Sequence, residues 1–98
     1  MPFDTTLDPT TDVILGAIDH LQRYGWIKGY SRLGIARCIK GALLEKTGAN
    51  NRLFDAAIRR VKKANGIEID LAFWNDAQDR TKEQVIDAMR NSLVAGWP

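Results

Sequence analysis

Cys38, His20 and an acid such as Asp76 supply the side-chain types of a cysteine nucleophile system, in which a histidine takes the thiol proton and a carboxylate orients the imidazole. The surroundings of the cysteine argue against that chemistry. Ile35, Cys38, Ile39, Ala42 and Leu43 recur at i, i+3, i+4, i+7 and i+8, one apolar face of a helix. A thiol in such a stripe packs as a small hydrophobe, whereas a reactive thiolate needs an electropositive, accessible setting. His20 lies at the edge of an earlier stripe. No catalytic residue is assigned, and a cysteine-dependent hydrolase stands only as an alternative. Asn75, Asp76, Asp79 and Glu83 gather oxygen donors, but without the alternating ligands, glycine and distal glutamate of a calcium loop. They read better as a structural turn, in which Trp74 anchors in the core, Asn75 and Asp76 bind nearby backbone groups and Thr81 opens the next helix. Neither a metal nor a cofactor is expected.

Two stretches have the composition of binding surfaces. Tyr24-Gly25-Trp26-Ile27-Lys28-Gly29-Tyr30-Ser31-Arg32-Leu33-Gly34 interleaves three aromatics, three glycines and two basic residues. Glycines allow close backbone approach, aromatics offer stacking faces, and Lys or Arg offers anion contacts. Trp26, Lys28, Tyr30, Arg32 and Arg37 are therefore the candidate ligand-binding residues. The competing structural reading has Trp26 and Ile27 closing over the end of a helical core, with the glycines as turns. Further on, Arg52, Arg59, Arg60, Lys62 and Lys63 stand against Asp55 alone along one predicted helix, a face that either contacts nucleic-acid phosphates or is simply solvated.

These stretches need elements to position them. Val13, Ile14, Ala17, Ile18 and Leu21 predict a helix capped by Thr10 or Thr11 and ended by Gly25. The cysteine-bearing stripe predicts a second helix from Ile35 to Thr47, stopped by Gly48, with Gly41 inside it at a cost of about 1 kcal/mol relative to Ala. Leu53, Phe54, Ala57, Ile58 and Val61 predict a third, capped by Asn50 or Asn51 and ended at Asn65-Gly66. Ile67 to Leu71 alternates like a strand but has no partner strand, so an extended connector is expected. Thr81 with Gln84 matches a capping box before Val85, Ile86, Met89 and Leu93, and Gly96 closes that last helix.

The expected fold is thus all-α: an extended arm over residues 1–10, then a single helical domain over 11–98. Its four helices fall near 11–24, 35–47, 51–65 and 82–95, with the Gly/aromatic loop after the first. At 98 residues and 45% hydrophobic composition the chain has the size and apolar content of one folded domain. No apolar run approaches about 18 residues, so no membrane association is expected. Met1-Pro2-Phe3-Asp4 lacks the layout of a signal peptide and a single cysteine cannot form an internal disulfide, so a cytoplasmic setting is expected. Charge is unevenly spread: −4 over residues 1–20, +9 over 21–63 and −3 over 64–98, for a net +2. The basic middle is either an anion site or is neutralised by the ends folding back.

Taken together, Gly25-Trp26-Ile27-Lys28-Gly29, Cys38-Ile39-Lys40-Gly41-Ala42-Leu43 and Trp74-Asn75-Asp76 with Arg80-Thr81 and Glu83-Gln84-Val85 resemble a family of small bacterial and phage proteins of unknown function. In that family G-W-x-x-G, C-x-x-G-A-L and W-N-D-x-x-x-R-T-x-x-[EQ]-V recur in this order. The resemblance covers roughly residues 13–94; this chain departs from it with Arg37 where an aromatic precedes the cysteine. It implies no particular activity, but it does imply a phage setting, in which short proteins inhibit host defences by binding a protein or trapping a nucleotide signal. The leading expectation is a non-enzymatic binding protein acting on a protein partner or a small anionic ligand. Nucleic-acid binding through the third helix is the alternative. With three Trp in so small a domain, self-association is a further expectation.

Overall fold

The computed structural model describes residues 8–30 and 32–94. Five helices and one two-stranded hairpin follow in the order α1 (Pro9–Tyr24), β1 (Arg32–Leu33), β2 (Ala36–Arg37), α2 (Ile39–Thr47), α3 (Asn51–Asn65), α4 (Leu71–Asn75) and α5 (Lys82–Asn91). The protein is a small all-α domain. Among the described residues no helix is long and apolar enough to cross a membrane.

The apolar stripes read from the sequence build the core. Ile14 and Leu21 from α1, Leu43 from α2, Val61 from α3, and Val85 and Met89 from α5 are fully buried, joined by Ile39 and by Leu71 of α4. Burying a side chain of this size contributes about 1.5–3 kcal/mol relative to exposing it. α1, α2, α3 and α5 pack around this centre, while α4 lies against α2.

Helix ends show where sequence reading and structure part. α1 starts at Pro9, not at residue 11, because Asp8 is the cap: its carboxylate accepts the Thr11 N–H at 2.8 Å, and proline suits the first helical turn. Of the expected extended arm, residues 1–7 lie outside the described residues. α2 starts at Ile39, not at Ile35. Gly34, at φ +59°, turns a tight hairpin that pairs Arg32 with Arg37 and Leu33 with Ala36, so Ile35 sits at the exposed turn. Cys38 is extended and caps the helix, its sulfur accepting the Gly41 N–H at 3.3 Å. The expected caps of α3 and α5 form as read: Asn50 accepts the Leu53 N–H, and Thr81 and Gln84 make a reciprocal capping box. α5 ends at Asn91, short of residue 95, where Ser92 turns its hydroxyl back to the Met89 carbonyl; Gly96 lies outside the described residues.

α4 is the helix beyond the four expected. Its five residues follow the extended connector from Ile67 and are capped by Asp70, which accepts the Ala72 N–H at 2.8 Å. A single helical turn shows no repeat of its stripe, so periodicity does not reveal it.

Candidate functional site

Asn75, the last residue of α4, is completely buried and ties three distant segments together. Its Oδ1 accepts the Trp26 indole N–H at 2.6 Å and the Ile39 backbone N–H at the start of α2 at 3.1 Å. Its Nδ2 donates to the Ile27 carbonyl at 3.1 Å and to Asp76 Oδ1 at 3.0 Å. The same Asp76 oxygen accepts the Gly29 N–H at 2.8 Å. One amide and the neighbouring carboxylate thus clamp the Gly/aromatic loop onto α2 and α4. The side chains of Asn75 and Asp76 do not bind nearby backbone as expected: apart from the contact between the two, their partners are distant in the chain, while the Asp76 N–H closes α4 on the Ala72 and Phe73 carbonyls.

The loop is held on its other side by the hairpin. Ile27 N–H donates to the Arg37 carbonyl at 3.0 Å and Arg37 N–H to the Gly25 carbonyl at 3.2 Å, so residues 25–27 run beside β2 as a third short extended segment. Trp26 is half-buried against the core, and Lys28 lies 5.8 Å from its ring centroid while donating to the Gln78 carbonyl at 2.8 Å. The Arg80 guanidinium stacks 3.9 Å from the Trp74 ring, itself packed on the core, a cation–π contact that fixes the turn before α5.

Of the five residues read as ligand contacts, Tyr30 is the exposed one whose side chain holds no hydrogen bond among the described residues. Trp26 is spent on Asn75. The Arg37 guanidinium is buried, bound to Glu45 at 2.9 and 3.0 Å and to the Gly34 and Ala36 carbonyls, and it lowers the Glu45 pKa chiefly through that hydrogen bond. Arg32 contributes its backbone to the hairpin; its side chain and Ser31 lie outside the described residues. Between loop and helices opens a recess of about 190 Å³ lined by Gly29, Tyr30, Cys38, Lys40, Ala72 and Asp76, with Lys40 paired to Asp70 at 3.5 Å. A recess this small holds a side chain or a few polar atoms rather than a nucleotide.

His20 does not join Cys38. Its Nε2 lies 2.8 Å from the Ile35 carbonyl and its ring packs on Tyr24, 4.9 Å between centroids, so it supports the hairpin turn while the sulfur caps α2. Among the described residues no cluster of His, Cys, Asp and Glu has the geometry of a metal site.

The basic residues of α3 divide. Arg60 is structural: Nε donates to the Ser92 carbonyl at 2.9 Å, and Nη1 donates to Thr11 Oγ1 at 2.8 Å and contacts Asp8 at 3.4 Å, tying α3 to α1 and α5. Lys62 is half-buried and its charge acts on Asp70. Arg52, Arg59 and Lys63 are exposed. The three segments carrying the motif resemblance, 25–29, 38–43 and 74–76, are those that Asn75 gathers. No curated protein and no solved structure matches the chain. A family model described as a family of unknown function (DUF6197) matches residues 5–92, nearly the whole chain, and the protein belongs to that family.

Proposed function

We propose that the protein is a non-enzymatic binding module that recognises a protein partner through the Gly/aromatic loop and the adjoining hairpin. The observation that carries this is the pairing of a rigid base with an apolar rim. Asn75 and Asp76 fix the loop by three hydrogen bonds, to Trp26, Ile27 and Gly29, while Tyr30, Leu33 and Ile35 stand 64, 59 and 63% exposed within six consecutive positions. α4 adds Phe73, 72% exposed and adjacent in sequence to the recess-lining Ala72. Exposed aromatic and aliphatic side chains on a pre-organised base are the composition of a protein interface core. The small anionic ligand reading has less support, because Arg37 is committed to Glu45 and two carbonyls. In the phage setting implied by the motif resemblance, the partner is a cytoplasmic host protein and the outcome is inhibition of a host defence.

Native mass spectrometry on protein isolated from its source cells without denaturation tests this. A complex of fixed stoichiometry with a second protein is expected, and the Tyr30→Ala/Leu33→Ser/Ile35→Ser variant should bind that protein at least about thirtyfold more weakly, as loss of one hot spot does, with its thermal melt unchanged. A bare chain, an added small-molecule mass, or a variant that keeps its partner overturns the reading.

A further inference from the structure

The outward stripe of α3 is a row of cations that form no ion pairs among the described residues. Arg52, Arg59 and Lys63 fall at i, i+7 and i+11, which at 100° per residue places them within about 40° of one another on the side opposite the buried Ala57 and Val61. Along the axis they are spaced by roughly 10 and 6 Å. All three are exposed, and none forms an ion pair among the described residues. Asp55, the one acidic residue of α3, stands one turn from both Arg52 and Arg59 but forms no ion pair with either among the described residues, so the stripe keeps a net positive charge. A groove of about 440 Å³ runs between this stripe and the start of α1, lined by Asp8, Thr10, Ala56, Arg59, Arg60 and Lys63. Asp8 is matched by Arg60, whose guanidinium is fixed by Thr11 and Ser92 as one wall of the groove, so the surplus charge there belongs to Arg59 and Lys63.

We propose that this stripe is a sequence-independent docking site for the phosphate backbone of a nucleic-acid duplex, on a different face from the loop and hairpin. A straight row of cations on a rigid helix matches a periodic line of phosphates, and contacts of this kind position a protein without reading bases. Single-stranded binding would call for exposed aromatics beside the cations to stack bases. α3 offers none, since Phe54 packs on the core. The site does not depend on the protein-partner reading above.

Fluorescence anisotropy with a labelled 20-base-pair duplex, titrated between 25 and 200 mM NaCl, is the test. Three phosphate contacts predict a slope of log affinity on log salt of about −2.7, and Arg59→Gln/Lys63→Gln should flatten it to about −0.9 while weakening binding at least about tenfold at 100 mM salt. Duplexes of unrelated sequence should bind alike, and Tyr30→Ala/Leu33→Ser should leave the affinity unchanged, which separates this site from the loop surface. The exposed glutamine variant should melt like the parent. No binding at 25 mM salt, a slope that the double variant leaves unaltered, or equal competition by polyglutamate or anionic phospholipid vesicles at matched charge overturns the proposal.

Discussion

Asn75 holds the Gly/aromatic loop to the start of α2 with a single side chain. With Asn75→Ala, the Trp26 indole N–H, the Ile39 N–H and the Ile27 carbonyl lose their partner, and each buried polar group left unsatisfied costs about 1–3 kcal/mol. A loss of at least about 3 kcal/mol in urea unfolding is therefore expected, with Trp26 fluorescence shifting as the loop comes free. Cys38 is the second informative residue. Its sulfur caps α2, and serine is a stronger cap, so Cys38→Ser should stay near parental stability while Cys38→Ala loses about 1 kcal/mol. Chemical denaturation of the two variants side by side decides between a capping thiol and one whose packing alone matters. Neither role was legible in the sequence for a physical reason. Apart from the adjacent Asp76, the partners of Asn75 lie 36 to 49 positions away, whereas local pattern places an Asn beside a Trp in a turn; Cys38 sits on both a helical repeat and a helix boundary.

At the level of elements, periodicity located the four longer helices and missed what interrupts them. Ile35 continues the α2 repeat in phase, but Gly34 takes a left-handed conformation that turns the chain into a hairpin, and the backbone pairing of Arg37 with the loop holds it. The caps carry a shared pH signature. Asp8 and Asp70 titrate below the ordinary carboxylate range because each accepts a backbone N–H at the start of its helix, and Glu45 does so because of Arg37. A depressed folded-state pKa contributes stability that is present above the ordinary pKa and lost as pH falls through the depressed value. Melting temperature should accordingly be level above pH about 5 and fall steadily below pH about 4, as differential scanning calorimetry across that range will read. Where α1 meets α2, a Cβ at Gly16 would come within 3.2 Å of the Lys46 side chain, a flexible stem that can swing aside. Gly16→Ala should therefore raise stability by about 0.5–1 kcal/mol from helix propensity, as measured by urea unfolding.

Across the molecule, the acidic and basic blocks of the sequence meet at a few points only. Asp8 reaches Arg60, Asp19 reaches Arg23, Asp70 reaches Lys40, and Glu45 and Arg37 neutralise each other within the basic block itself. The ends therefore offset part of the basic middle and leave the outer stripe of α3 uncompensated, a division that the totals per segment do not contain. The loop and that stripe occupy separate surfaces of one small core. The order in which the chain is made gives the Asn75 clamp a further meaning. Helices α1 to α3 are complete in sequence by residue 65, whereas the loop at residues 25–30 waits for residues 71–76. At about 5–20 residues per second the wait is several seconds, and through that interval a nascent chain carries its Gly/aromatic loop unfastened. The loop is then fastened in a single late step, when α4 forms and Asn75 closes on Trp26.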